Sequence, residues 1–565
     1  MQGLQSLDWA VFIFYFLVVS GYGLWIYNRK RKANADTKDY FLAEGSLTWW
    51  AIGASLIASN ISAEQFIGMS GNGYLVGVAV AAYEWIAAIA LIIVAVFFMP
   101  IYLKNHIYTM PQFLKRRYNE TVSLIMAVFW LFLYVLVNLT SILYLGAVAI
   151  NNLAGGGHFH LIMIGLALFA LVITLGGMKV IGYTDVIQVF VLIVGGLATT
   201  YLALTLVSER FGTGTDALAG FNHLLAKADD HFHMIIPKPT DASPQAEIDK
   251  YLMLPGIAMY FAGQWIVNLN YWGCNQYIIQ RALGADLKTA RTGILFAGFL
   301  KLMMPVIVML PGIAAYVLYQ NGGLQEAMAS SGKFSSDNAY SSILTFLPVG
   351  LKGLALAALT AAIVASLAGK VNSISTIFTL DLYKNYIDKN ADEKKLVGMG
   401  RIVIGVSMLL AIFLTWDDVL DIGGEGGFTF IQKYTGFISP GVFAMFLLGM
   451  FWKRTTGAAG VVGLLTGFIL SVFFNEFAPA MLGNKTWLYT AYPNGEGGYE
   501  IPFLICMGLA FAFAVAGMIV VSLAGPKINP KAFDLDKGMF RPDARTTLLI
   551  VITLLLLSAI YVRFW

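Results

Sequence analysis

The 565-residue chain is poor in the residues that soluble proteins use most. Asp, Glu, Lys and Arg make up 12% of it, with six histidines and two cysteines. So little charge excludes a soluble protein of this length. Cys274 and Cys506 both fall in apolar stretches and share no metal-ligand spacing, which argues against a disulfide framework. No Walker A loop, dinucleotide fingerprint or zinc-protease helix is present, so ATP is not expected to drive this chain. No nucleophile–base pair stands out, and neither an enzyme activity nor a nucleic-acid partner is expected.

What the chain does have is hydrophobicity, at 58% of residues. Apolar stretches of 18 or more residues recur from end to end, which predicts an all-α polytopic membrane protein in the lipid bilayer. The periodicity places fourteen transmembrane helices at about 8–28, 48–72, 75–103, 122–150, 159–176, 181–207, 251–279, 290–318, 345–382, 397–415, 425–451, 456–474, 501–523 and 546–564. The first has no basic segment before it and Arg29-Lys30-Arg31-Lys32 after it, so it reads as a retained span rather than a signal peptide. With this count, 25 Lys and Arg fall in loops on one side and seven on the other. Positive charge stays inside, so both termini are expected outside, across the cell inner (plasma) membrane. The outer loop at 208–250 carries Asp229-Asp230-His231-Phe232-His233, which reads as a solvated face, with a metal site as the alternative.

The polar residues within the spans carry the function. Asn60-Ile61-Ser62-Ala63-Glu64-Gln65 lies mid-way along span two, followed by Gly68, Gly71 and Gly73. Such residues are costly in hydrocarbon and imply a partner, a ligand or a water-filled cavity. A polar, breakable helix at membrane depth is the mark of a transporter's binding helix. Span three opens with Tyr83-Glu84-Trp85, and span eight carries Lys301. Lys301 either snorkels or shares a cavity with Glu84, each lowering the other's burial cost. Span seven supplies Asn268, Asn270, Tyr271, Trp272, Asn275 and Gln276. Amides, a phenol and an indole suit a sugar, which has hydroxyls around an apolar ring face, although amides also pack between helices. Gln432 and Lys433 follow the run Gly423-Gly424-Glu425-Gly426-Gly427, a candidate hinge. The clusters in spans two and seven lie five spans apart. Five is odd, so spans two to six and seven to eleven can form an inverted repeat with broken first helices.

At these motifs the chain resembles the sodium:solute symporter family. The matching stretches are ISAEQFIGMSG within Trp49 to Gly73, Tyr83-Glu84-Trp85, VNLTSILYLG within Phe129 to Gly146, and Thr184 to Phe190. NQYIIQR at Asn275 to Arg281, NSISTIFTLDLY within Lys370 to Tyr383, and FLLGMFWK at Phe446 to Lys453 complete the series. The resemblance runs from about 38 to 454 and implies a five-plus-five inverted repeat of the leucine-transporter type. On that pattern, 1–47 is an extra helix and basic loop, 48–208 the first repeat, 209–250 an extracellular loop, 251–454 the second repeat, and 455–565 three further helices. The resemblance implies sodium-coupled uptake of a hexose, galactose or glucose. Its sugar site would be Gln65, Glu84, Asn268, Lys301 and Gln432, with Asn60 nearby. Tyr271 would cap the sugar from the cytoplasmic side, and Met69 and Phe428 would close the outer side. The sodium ligands would be the carbonyls of Ala58, Ile61 and Ala362 and the hydroxyl of Ser366, with Asp185 on the ion's path inward. Ser366 also reads as a small residue for close packing. Three positions depart from the pattern: Ala87 stands where a sugar-carrying member has serine, Asn270 where it has tyrosine, and Ala365 where two adjacent serines are expected. Ala368 and Gly369 further along also lack side-chain oxygens where members that take a second sodium supply hydroxyls, so one sodium per sugar is expected. A sugar sensor or ligand-gated ion pathway on the same fold, or a symporter for another small solute, are the alternatives.

Overall fold

The structure, a computed structural model, describes residues 4–29, 37–43, 47–62, 64–240, 242–330, 333–417, 419 and 427–565. The basic run at 30–32, most of the expected hinge at 423–426 and the Phe428 side chain lie outside the described residues. Eleven described helices are long and apolar enough to cross a membrane, or twelve if the bent pair Gln245–Phe261 and Gln264–Cys274 is one span. The only strands among the described residues are two antiparallel ribbons, Ala329–Ser330 with Lys333–Phe334 and Tyr492–Pro493 with Tyr499–Glu500.

The difference from the fourteen expected spans lies mostly in helices that are not simple rods. The expected span 48–72 is split. Helix Trp49–Asn60 stops at Ile61, whose backbone is extended. The helical run that resumes at Glu64 continues to Lys104, 41 residues. At 1.5 Å per residue that is about 60 Å, roughly twice a bilayer core. It turns at Gly77 (φ 70°), a conformation that side chains resist. Span 251–279 is also divided: its two helices meet at 80°, and Asn275 is extended before helix Gln276–Leu283 begins. Phe159–Leu175 is helical and apolar but only 17 residues long.

Leu351–Ile387 is the central helix, with 94% of its apolar stretch buried, against 22% for Ser6–Asn28 and 11% for Ala544–Phe564. Its sequence explains this. Leu354 to Gly369 is dominated by Ala, Leu and Gly, so neighbours can approach on every side. Trp49–Asn60, Thr140–Leu153, Phe159–Leu175 and Met178–Arg210 all pack on it. Its N-terminus is capped from the first helix. The buried Asp8 carboxylate accepts the Gly350 and Gly353 amides at 2.7 and 3.0 Å, where exposed N–H groups and the helix dipole favour an anion.

Two basic residues counted as loop charges turn out to be structural. Arg117 is fully buried and donates to the carbonyls of Gly449, Trp452 and Thr455 at 2.6–3.0 Å, closing the end of helix Ser439–Phe451. Arg281 is buried beside Asp185. The 208–250 loop also differs from expectation. His231 is 1% exposed, stacked on Tyr316, with its ring nitrogens 2.9 Å from Asp230 and from the Tyr74 carbonyl. It fastens the loop over the Gly77 turn, so His231 is neither solvated nor free to ligate a metal.

Candidate functional site

The first helix break builds the site. Ser62 begins the helix after the break as a capping box. Its hydroxyl accepts the Glu64 amide at 3.2 Å, and Gln65 Oε1 accepts the Ser62 amide at 3.0 Å. The Ser62 amide is thereby withdrawn from the Ala58 carbonyl, its regular helical partner. The carbonyls ending the first half are left facing other groups. Three segments around the site wind more loosely than an α-helix: Glu64–Met69, Leu133–Leu139 and Asn270–Cys274. Such π-helical stretches are frequent where a helix must present side chains to a ligand.

These segments enclose one cavity. Asn60, Glu64, Gln65, Tyr83, Glu84, Ala87, Asn138, Asn268, Asn270, Tyr271, Trp272, Lys301, Lys370 and Gln432 are among its lining residues. At its centre the Lys301 ammonium donates to both the Glu84 carboxylate and the Asn60 amide oxygen. It also lies 5.2 Å from the Trp272 ring centroid. Lys301 is 1% exposed, so it does not snorkel; it meets Glu84, the sharing favoured by the cost of two lone buried charges. Asn60 passes the network on, donating to the Tyr271 hydroxyl at 2.9 Å, and Tyr277 donates to the same oxygen. Lys301, Glu84, Asn60 and Tyr271 thus join both broken helices.

The other expected sugar ligands are nearby. Gln65 and Asn268 line the cavity, each with one end committed: Gln65 to the cap, Asn268 to the Gln264 carbonyl at 2.9 Å. Gln432 lines it as well. Met69 is fully buried at the end of the π-helical stretch and does not line this cavity. Two of the three departures from the family pattern, Ala87 and Asn270, do line it, and Asn270 donates to Ser439 at 3.1 Å. Sequence reasoning did not place Asn138, Tyr277, Ser439 or Lys370 here. Lys370 lies 3.9 Å from Glu64 Oε1 and 5.0 Å from the Tyr277 ring centroid.

The candidate cation site is on the other side of the same break. Ser366, on the central helix, reaches the carbonyls of Ala58, Ser59 and Ile61 at 3.4, 3.0 and 3.4 Å. Ala362 is one turn before it and buried. This is a set of oxygens without a charge, suited to a hard cation such as sodium. Asp185 lies beyond: it accepts from Ser55, which accepts from Arg281 Nε at 2.8 Å. One Asp185 oxygen, the Ser59 hydroxyl and one Arg281 nitrogen have no hydrogen-bond partner. A Cβ at Gly369 would be 2.3 Å from that Arg281 nitrogen and 3.1 Å from Ser59 Oγ. Only glycine leaves the guanidinium this space.

A model of the sodium:solute symporter family matches residues 40–467. The chain belongs to that family. It is therefore a multi-pass membrane transporter rather than an enzyme, and sodium is the coupled ion. It is 42% identical to a sodium/glucose cotransporter of Vibrio parahaemolyticus, covering all of this chain and 99% of that one. It is 33% identical to sodium/myo-inositol cotransporter 2 of Mus musculus, over 83% of this chain and 70% of that protein. Among solved structures it superposes on an outward-open sodium-coupled sialic acid symporter with a TM-score of 0.75, covering 93% of this chain and 100% of that one. At 19% identity that likeness carries the fold alone.

Proposed function

We propose that the symporter accumulates a hexose, glucose or galactose, with one sodium per sugar. The observation that carries this reading is the Lys301–Glu84–Asn60 network at the centre of an amide- and indole-lined cavity. A neutral polyol can accept from Lys301, donate to Glu84, and rest an apolar face on an aromatic ring. A carboxylated solute would be repelled by Glu84. Gln65, Asn268 and Gln432 would read the remaining hydroxyls, Tyr271 would close the inner side, and Met69 and Phe428 the outer.

Sodium would be taken by Ser366 with the carbonyls of Ala58, Ile61 and Ala362, tying the central helix to the broken one. It would leave past Asp185. Opening and closing would then be a rocking of two five-helix repeats, 48–208 and 251–454, within fourteen spans. Both termini would face outside the plasma membrane. The single-ion reading is supported by the lack of side-chain oxygens at Ala365, Ala368 and Gly369 and by the Arg281 guanidinium filling the space beside Gly369.

The relatives leave two polyol classes in view, hexoses and myo-inositol. Competition of labelled glucose uptake by galactose, glucose and myo-inositol, with and without sodium, tests the reading. Sodium-dependent competition by a hexose at lower concentration than by myo-inositol is expected. The reverse order would reassign the substrate.

A further inference from the structure

Ser366 and Lys370 are four residues apart on the central helix. They share a face and are separated by about 6 Å along the axis. Both meet the same break in helix 49–76, from its two sides. Ser366 holds the carbonyls that end the first half. The Lys370 ammonium faces Glu64, in the first turn of the second half. Both members of the pair are buried, and both line the cavity. At 3.9 Å the contact is ionic rather than a hydrogen bond, and that Glu64 oxygen accepts no hydrogen bond at all. The other charges nearby are already balanced, Lys301 with Glu84 and Arg281 with Asp185.

We propose that Glu64 and Lys370 form a fixed charge pair that sets how tightly the adjacent site takes sodium, with Lys370 a positioning residue for the coupled ion. The proposal rests on the reading that Ser366 and its carbonyls receive sodium. Intact, the pair is neutral and its two fields largely cancel at the site. Removing either member leaves one unit charge near the ion. A unit charge about 10 Å away, at an effective dielectric near 20, changes a binding constant on the order of tenfold.

The signs are opposite, which a merely structural pair would not produce. Lys370→Met leaves the carboxylate and should tighten sodium binding about tenfold. Glu64→Gln leaves the ammonium and should weaken it by a similar factor. The double variant should return to within about threefold of wild type, and Lys370→Arg should stay near wild type.

The readout is sodium alone, without sugar: binding of radioactive sodium, and the sodium-dependent rise in melting temperature, of purified full-length protein at pH 8. Ser366→Ala is included in the same series. If Ser366→Ala binds sodium normally, the site is wrong and the proposal falls with it. If Ser366→Ala loses sodium but Lys370→Met and Glu64→Gln move affinity the same way, or not at all, the site stands and the charge pair is refuted. If Glu64→Gln does not fold, Lys370→Met against Lys370→Arg still decides: tightening in the first alone supports the pair, and equal effects overturn it.

Discussion

Each interrupted helix has an extended residue at a break, Ile61 in one and Asn275 in the other, yet the two are finished differently. At the first, the capping box closes the second half's N-terminus, and among the described residues the carbonyls of Ala58, Ser59 and Ile61 meet the Ser366 hydroxyl. At the second, protein groups take up the polar side chains. Tyr134 donates to the Asn275 amide oxygen, and Gln276 accepts the Met110 amide at 2.7 Å. The first break presents carbonyl oxygens to the central helix, whereas the second is a braced joint. The Lys301 network links them, because Asn60 belongs to one and Tyr271 to the other.

Cutting that link should have the largest effect. Glu84→Ala or Lys301→Ala should nearly abolish sugar binding while the protein still assembles in membranes. Each leaves its partner charge buried and unpaired, a penalty of roughly 1–3 kcal/mol or more. Sugar-dependent protection against heating checks this, and wild-type affinity in either variant would remove the pair from the site.

The first break comes next. Ser366→Ala should cripple sodium activation of uptake, and Ala365→Ser should tighten it by supplying a second hydroxyl. A silent Ser366→Ala would mean the hydroxyl only packs. The braced break predicts the opposite pattern. Tyr134→Phe strands the Asn275 amide oxygen and should lower stability by about 1–3 kcal/mol, seen as a lower melting temperature, with sodium affinity unchanged. A shift in sodium affinity there would erase the distinction between the two breaks. Gln65→Ala and Asn268→Ala should be mildest, each removing neutral hydrogen bonds of about 1 kcal/mol, a severalfold rise in the sugar concentration for half-maximal uptake.

Where the sequence was readable, one strong physical cost dominated. Lys301 and Glu84 are opposite charges in apolar spans, so burial drives them together whatever the details. The polar run from Asn60 to Gln65 announced a break for the same reason. Its position was also legible in Ser62-x-x-Gln65, but a capping box mid-way through an apolar stretch is easily taken for helix interior. Lys370 was not legible, because its partner Glu64 sits in another span and the lysine alone looks like an interruption of a long helix. Arg117 and Arg281 adjoin loop charges in sequence, and only packing shows that they turn inward to carbonyls and to Asp185. The Phe428 side chain and most of the glycine run before it lie outside the described residues.

The central claim, one sodium driving one hexose through this site, is tested most directly by the equilibrium accumulation of labelled glucose or galactose in proteoliposomes. A potential of 100 mV contributes about 2.3 kcal/mol per sodium, and a tenfold sodium gradient about 1.4 kcal/mol. Together they limit accumulation to roughly several-hundred-fold at one ion per sugar. Accumulation approaching that limit, with no proton gradient present, is the predicted result. Accumulation far above it would require a second sodium, and none for any hexose would contradict the account.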